Sequence, residues 1–248
     1  MKISNERMDA FVAKTFFLFL LIASLAAASY SLYVIVSQIQ AYIKSDETYQ
    51  KIERVYRESN SFERLRALNE DFIGWIAIDG TKVNYPIVQA DDNEFYLTHN
   101  FFKESDFAGS IYMDFRIEDI STAKNIILYG HNMKNESMFG SLKRYLDEDY
   151  YEKHKVIRTY FKDLTYTWEV VSAYATPRLH WMEAEFRDQE LFASFLETIQ
   201  QHAFLSSHVN LHESQRILTL ATCTKDDDKR FVVHAVLKFE EGTAWDEP

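Results

Sequence analysis

Cysteine, glycine and proline are scarce in this sequence. Its 248 residues include one cysteine, six glycines and three prolines. One cysteine excludes an internal disulfide framework and any cysteine-rich zinc site. The low glycine and proline content excludes collagen-like and linker-rich chains. With 47% hydrophobic and 15% aromatic residues, the chain is expected to fold as one substantial globular domain with an additional apolar segment.

Positive charge is also in short supply. The chain has 27 Lys and Arg residues against 38 Asp and Glu residues, which gives a formal net charge of -11. Nucleic-acid binding requires a clustered cationic surface that displaces counterions from phosphates. We therefore expect no nucleic-acid partner; partners of basic or neutral character fit better, although the acidity can also serve solubility alone.

The N-terminal part contains a long hydrophobic run. Residues 15–36 read TFFLFLLIASLAAASYSLYVIV, about 22 uncharged residues, and about 20 suffice for a membrane-spanning helix. A cleavable signal peptide is the alternative, but its apolar region is typically shorter, at ~7–15 residues. Lys2, Arg7 and Lys14 precede the run, so the positive-inside rule predicts a cytoplasmic segment 1–14, a single anchor 15–36 and an extracytoplasmic remainder.

The remainder divides into a helical stalk and a β-rich domain. Residues 37–70 are polar and rich in helix formers, which predicts one or two amphipathic helices; sustained heptads of a coiled coil are absent. Residues 71–248 contain short apolar or alternating runs such as VNYPIV, NIILYGH and RFVVHAVLKF. This texture predicts a mainly β fold, a closed or nearly closed barrel, with peripheral helices from Ser137 to about His154 and from Glu183 to about Ser206.

Three residues at strand ends could carry chemistry. Cys223 ends the run LTLATC, Arg230 opens the next strand, and His131 follows the run NIILYG. A lone cysteine is usually a buried small hydrophobe, and a histidine after glycine is usually a turn residue. An unpaired thiol in an exported domain nevertheless suggests a functional reason to keep it. A guanidinium can stabilise a nearby thiolate, and a histidine can exchange protons near neutral pH.

These segments resemble the signatures of the sortase family. LTLATC with the downstream Arg230 is similar to the family's Thr-Leu-any-Thr-Cys motif, and LYGHNM is similar to its histidine motif. Within the family, NYPIVQ, NEFYL, GSIYMDFR and the segment SAYATPRLHWMEAEF resemble class B. The resemblance covers residues 70 to 240 and implies a closed sortase-type β-barrel behind an N-terminal transmembrane helix, as in sortases of Gram-positive bacteria.

The resemblance also implies a mechanism and a set of residues. Cys223 would cleave the C-terminal sorting signal of a surface protein after threonine and hold the product as a thioester, with His131 as proton-transfer partner and Arg230 as electrostatic stabiliser. An amine would then resolve the thioester, without metal or cofactor. Substrate contacts would involve Asn93, Leu97, Trp181, Met182, Ala221, Thr222 and Thr224, with Trp181 and Met182 in place of the Tyr-Ile pair expected there.

Several questions stay open at the level of sequence. The acceptor could be a peptidoglycan cross-bridge amine, which family frequency favours, or a pilin lysine. Transfer to water by a cysteine hydrolase and a non-enzymatic surface-binding barrel are the remaining alternatives. Asp226, Asp227 and Asp228 lack the spaced oxygen ligands of a calcium loop and are expected to form a solvated turn.

Overall fold

The computed structural model describes residues 2–58, 61–177, 183–204, 210–223 and 229–242; for residues 2–10 and Cys223 the description covers the backbone only. The chain divides into two compact units, residues 1–46 and residues 47–248. The first unit is helical. The second contains a β-barrel with short helices around it.

Helix α1 runs from Lys2 to Tyr56. The sequence has no glycine or proline in this range, so no residue interrupts the backbone hydrogen bonds of the helix. By length and composition, the part from Phe11 onward is apolar enough to cross a membrane, and its large hydrophobic side chains are exposed. This helix fits a membrane anchor. The helix continues without a break through residue 37, the predicted start of the stalk. A second helix, α2 (Ser61–Leu68), follows.

Eight strands form a closed barrel in the order β1-β2-β3-β4-β7-β8-β6-β5. The strands are β1 (Phe72–Ala77), β2 (Asn84–Val88), β3 (Ile111–Met113), β4 (Asn125–Tyr129), β5 (Val156–Phe161), β6 (Leu164–Pro177), β7 (Ile217–Cys223) and β8 (Lys229–Gly242). The predicted barrel is therefore confirmed. β-branched and aromatic residues dominate these segments, as expected for strands buried on one or both faces.

Two pairings in the barrel determine which residues meet at its edge. β4 and β7 are parallel neighbours, with Tyr129 opposite Ala221. β7 and β8 form an antiparallel pair, with Cys223 opposite Arg230. The closed sheet fixes the register of β4, β7 and β8.

The described part of the core contains two fully buried tryptophans, Trp75 and Trp168.

The peripheral helices are shorter than the sequence pattern predicts. The region from Ser137 to His154 holds a 3₁₀ segment (Gly140–Leu146) and helix α3 (Glu148–His154). The second region holds helix α4 (Gln189–Gln201), which begins later because the Asp188 side chain accepts a hydrogen bond from the backbone N–H of Leu191 at 2.8 Å. Such N-caps satisfy donors that a helix leaves unpaired. The buried face of α4 packs on the barrel, with Phe195 against His234.

Candidate active site

Strand register brings His131, Cys223 and Arg230 to one edge of the barrel. His131 and Cys223 each lie two residues beyond the pair Tyr129–Ala221 on parallel neighbouring strands, and the backbone N–H of Gly130 still bonds the carbonyl of Ala221 at 3.2 Å. Arg230 lies directly opposite Cys223; Cα atoms of such a pair are ~4.5–5.5 Å apart. Residues from three distant parts of the chain thus converge.

The imidazole of His131 is held by a backbone carbonyl. Its Nε2 atom lies 2.6 Å from the carbonyl oxygen of Leu97. Because a carbonyl oxygen can only accept, Nε2 carries the hydrogen in this contact, and Nδ1 of the neutral ring keeps the lone pair. The ring is half-buried. His131 is therefore oriented with a defined nitrogen available for proton exchange.

The loop after His131 is tightly packed. The backbone N–H of Phe139 bonds the carbonyl of His131 at 3.0 Å, and Asn132 pairs with Met138, which has a positive φ of 50°. A Cβ atom at Gly130 would lie 2.4 Å from Ile111 Cδ1. Only glycine fits so close an approach without displacement of its neighbours. The loop holds His131 against the barrel edge.

Arg230 is half-buried at the start of β8. It is also opposite Thr176 on β6, so two neighbouring strands fix its backbone. Its Nη1 atom donates to the carbonyl of Lys229 at 3.0 Å. A guanidinium stays charged at any working pH, so Arg230 carries a positive charge on the strand that pairs with β7, at the position opposite Cys223.

The remaining predicted site residues differ in how the structure places them. Leu97 is half-buried and contacts His131 through its carbonyl. Ala221 and Thr222 are buried in β7 beside the edge. Asn93 uses its amide within the protein: Nδ2 donates to Asp114 at 3.1 Å, and Oδ1 accepts from the backbone N–H of Phe115.

Other predicted positions are not covered. Trp181, Met182 and Thr224, together with Asp226, Asp227 and Asp228, lie outside the described residues. Among the residues that are described, no group of three or more His, Cys, Asp or Glu side chains is arranged to hold a metal ion.

A buried carboxylate near the site is missing from the sequence-based prediction. Asp114 has a fully buried side chain and receives two hydrogen bonds from Arg116, at 2.9 and 2.8 Å, and one from the hydroxyl of Tyr129 at 2.7 Å. Burial alone would raise the pKa of Asp114, but these hydrogen bonds outweigh it and hold the pKa below its ordinary value. The carboxylate ties Asn93 to the strand that leads to His131. Its only sequence signal is its place in GSIYMDFR.

A second buried network lies under helix α4. The hydroxyl of Tyr174 is 3.1 Å from His234 Nε2, His234 Nδ1 is 2.9 Å from Thr219 Oγ1, and Thr219 donates to Asn125 at 2.7 Å. Asn125 Nδ2 in turn donates to the carbonyl of Glu183 at 2.9 Å. Donors and acceptors match along the whole chain if His234 is neutral with hydrogen on Nδ1. Burial, with a smaller contribution from the nearby His202, lowers the pKa of His234 to about 3.

This arrangement suits acyl transfer. A thiol nucleophile needs a partner that can take and return a proton, and charge must be stabilised at the oxygen of the attacked carbonyl. Strand register puts a cysteine, a histidine and an arginine at one edge of the barrel. The fold and the site together define a cysteine acyltransferase.

Comparisons with known proteins agree with this assignment. The sortase domain model matches residues 76–238. Sortase B of Listeria monocytogenes is 39% identical over 166 residues, which are 66% of this chain and 67% of the relative. Sortase B of Staphylococcus aureus is 35% identical over 213 residues, 79% of this chain and 87% of the relative. The solved Staphylococcus aureus sortase B–substrate complex has a TM-score of 0.74 at 33% identity and covers 80% of this chain and 98% of its own.

The chain belongs to the sortase family, and it is a cysteine transpeptidase. Its relatives assign it to class B of that family. Sortases are cell-surface enzymes, and the apolar helix α1 agrees with a surface location. Family membership implies surface-protein substrates with sorting signals and amine nucleophiles.

Proposed function

We propose that this enzyme cleaves the C-terminal sorting signal of surface proteins after threonine and transfers the new carboxyl end to an amine of the cell wall. The single observation that carries the proposal is the strand register, which aligns His131, Cys223 and Arg230 at one edge of the barrel. A stable arrangement of nucleophile, proton carrier and cation is what thiol-based acyl transfer needs.

In the first step, the sulfur of Cys223 attacks the threonine carbonyl carbon. The thiol proton goes to His131, and the carbonyl electrons move onto the oxygen. Arg230 stabilises the thiolate before attack and then the substrate and its developing negative charge. When the tetrahedral intermediate collapses, the C–N bond breaks, His131 protonates the departing amine, and a thioester remains on Cys223.

In the second step, an amine resolves the thioester. The incoming nitrogen attacks the thioester carbon, His131 takes its proton, and the C–S bond breaks to regenerate Cys223. The contact between Leu97 and Nε2 supports this role, since it leaves Nδ1 of His131 with the lone pair.

The acceptor we propose is the amine of a peptidoglycan cross-bridge. A pilin lysine is the alternative within class B, and water would make the enzyme a hydrolase. We also propose that Asn93, Leu97, Trp181, Met182, Ala221, Thr222 and Thr224 contact the sorting signal. For Ala221, the proposal is supported by its position on β7, two residues before Cys223.

The proposed topology follows the N-terminal charges. Residues 1–14 lie in the cytoplasm, 15–36 cross the membrane, 37–70 form a helical stalk, and 71–248 form the extracytoplasmic catalytic domain. The hydrophobic part of helix α1, with its exposed apolar side chains, supports the anchor.

The test uses the full chain in detergent micelles with a panel of sorting-signal peptides, with and without oligoglycine or lysine amines, and mass spectrometry of the products. We expect an amine-joined product that disappears in Cys223→Ala and His131→Ala and is strongly reduced in Arg230→Lys, which keeps the charge but not the planar guanidinium. The exposed His212 provides the matched control His212→Ala, which should retain activity.

Other outcomes identify the alternatives. An acid product that ignores added amines would indicate a hydrolase. A preference for lysine over oligoglycine would indicate pilin polymerisation. Turnover by Cys223→Ala would rule out the proposed mechanism.

A further inference from the structure

Tyr49 lies on the part of helix α1 that belongs to the barrel unit, far in sequence from the proposed catalytic residues. We propose that Tyr49 is a positioning residue for His131: it braces, at the same time, the segment whose carbonyl holds the imidazole and the loop that follows His131. This inference rests on the role proposed above for His131.

The hydroxyl of Tyr49 supports the Leu97 segment. It donates to the carbonyl of Gly109 at 2.5 Å and lies 3.1 Å from Ser110 Oγ. Gly109 has a positive φ of 57°, and a Cβ atom there would lie 2.7 Å from the carbonyl oxygen of Leu97. That oxygen is the one that His131 contacts. No side chain would fit between Gly109 and the acceptor that orients the imidazole, so the two backbone segments pack closely at this point.

Ser110, the second residue next to the Tyr49 hydroxyl, also binds the Leu97 segment. Its backbone N–H donates to the carbonyl of Tyr96 at 3.0 Å, and its hydroxyl donates to the carbonyl of His99 at 3.0 Å. These two bonds bracket Leu97 in sequence. Residues 96–99 are therefore held against the pair Gly109–Ser110, which Tyr49 contacts.

The ring of Tyr49 supports the loop after His131. It packs edge-to-face on Tyr85, with ring centroids 5.3 Å apart and planes at 87°; such contacts contribute beyond their buried area. The hydroxyl of Tyr85 accepts a hydrogen bond from the backbone N–H of Met138 at 3.2 Å. Met138 pairs with Asn132, the residue after His131.

The environment of Tyr49 suits a fixed neutral donor. Its side chain is buried, and burial raises the pKa of the phenol well above its ordinary value. The O–H therefore stays protonated over any working pH. A buried hydroxyl with a short bond to a carbonyl holds its partner more firmly than an exposed one.

The test compares Tyr49→Phe, which keeps the ring and removes the hydroxyl, with Tyr56→Phe on the same helix. Tyr56 stacks on Trp75 at 4.0 Å, against β1, and is not part of the contacts around His131 described above. In the full chain in micelles, we expect Tyr49→Phe to lower kcat about three- to tenfold, the range of one uncharged hydrogen bond. The change in KM for the peptide should be smaller than the change in kcat. Tyr85→Phe should give a similar loss, and Tyr56→Phe should match the wild type.

A second readout does not depend on turnover. The ¹⁵N shifts of the His131 ring, assigned by their loss in His131→Gln, report which nitrogen carries the hydrogen. We expect the Nε2-protonated form in the wild type and in Tyr56→Phe, and a mixture with the Nδ1-protonated form in Tyr49→Phe.

The two proposals fail in different ways. Full activity of His131→Gln would refute the proposed proton carrier, while the ring spectrum would still test Tyr49. If Tyr49→Phe has the kcat and ring shifts of the wild type, Tyr49 does not position His131. Equal losses of activity and thermal stability in Tyr49→Phe and Tyr56→Phe would also overturn the inference, since they would indicate a general packing effect.

Discussion

Acid should destabilise this protein through one buried histidine, His234, at pH values above the range in which ordinary carboxylates titrate. His234 is completely buried among Thr219, Tyr174 and Phe195, and burial lowers its pKa from 6.5 to about 3. Below its ordinary pKa, the unfolded chain binds a proton at this ring that the native state does not bind. The contribution of His234 to stability is therefore complete above about pH 7.5 and decreases as the pH falls from 6.5 towards 3.

The size of this effect follows from proton linkage. One proton taken up only by the unfolded state costs about 1.4 kcal/mol per pH unit, so the free energy of unfolding should fall by about 2 kcal/mol between pH 7.5 and pH 5. Ordinary carboxylates titrate near pH 4, so this window reports histidines. The variant His234→Leu removes the titrating ring and leaves two polar partners unsatisfied, which should cost about 1–3 kcal/mol at pH 7.5.

Urea unfolding of the micelle-bound chain, followed by tryptophan fluorescence at pH 7.5, 6.5, 5.8 and 5.0, measures both quantities. At pH 7.5, we expect His234→Leu to have a lower free energy of unfolding than the wild type. Its free energy of unfolding should then depend less on pH, by the contribution of about one proton. His212→Gln, at an exposed histidine, should leave the slope unchanged. If the free energies of unfolding of His234→Leu and the wild type fall in parallel from pH 7.5 to 5.0, burial does not lower the pKa of His234 in the native state, and the reasoning is refuted.

Three further substitutions test the packing around the site. Asp114→Asn should lower the free energy of unfolding by about 1–3 kcal/mol, since it takes the buried carboxylate from Arg116, whose one-third exposure limits the loss; calorimetry would measure it. Gly130→Ala should lower the free energy of unfolding by about 1–3 kcal/mol through overpacking. It should also lower kcat at least about tenfold, because it displaces His131. Gly242→Ala, where a Cβ atom would meet open space, should change neither quantity. Thr219→Val keeps the shape but breaks two hydrogen bonds, and should shift the urea midpoint by an amount equivalent to about 1–3 kcal/mol.

Each of these expectations can fail in a specific way. An unchanged melting temperature in Asp114→Asn would mean that the carboxylate contributes no net stability. Equal behaviour of Gly130→Ala and Gly242→Ala would mean that the loop can move aside. A stabilised Thr219→Val would mean that burying the hydroxyl costs more than its bonds return.

The fold was predictable from the sequence in its outline. Short alternating runs indicated a β-barrel, and the uncharged run 15–36 indicated an apolar helix, because both depend on local patterns of hydrophobicity. Helix boundaries were less predictable. The start of α4 depends on a single cap at Asp188. Helix α1 does not end where the apolar segment ends, because helix-forming residues continue to Tyr56.

The candidate site was predictable where residues follow strands. Cys223, Arg230 and His131 each stand at a strand end, and the motifs around them carry the family resemblance. The buried hydrogen-bond networks of Asp114 and His234 were not predictable. Asp114 and His234 acquire their roles through partners distant in sequence, such as Arg116 with Tyr129 or Thr219 with Tyr174, and no local pattern encodes such a contact.

The parallel pairing of β4 with β7 also affects the order in which the site residues come together during synthesis. His131 is made early in the barrel domain, whereas Cys223 and Arg230 belong to the last two strands, which close the barrel. During synthesis, the thiol therefore meets all of its proposed partners only after β8 has been made. Under the proposed mechanism, assembly of the cysteine with its partners coincides with closure of the barrel, and a chain cut short before β8 would lose both the site and the closed sheet.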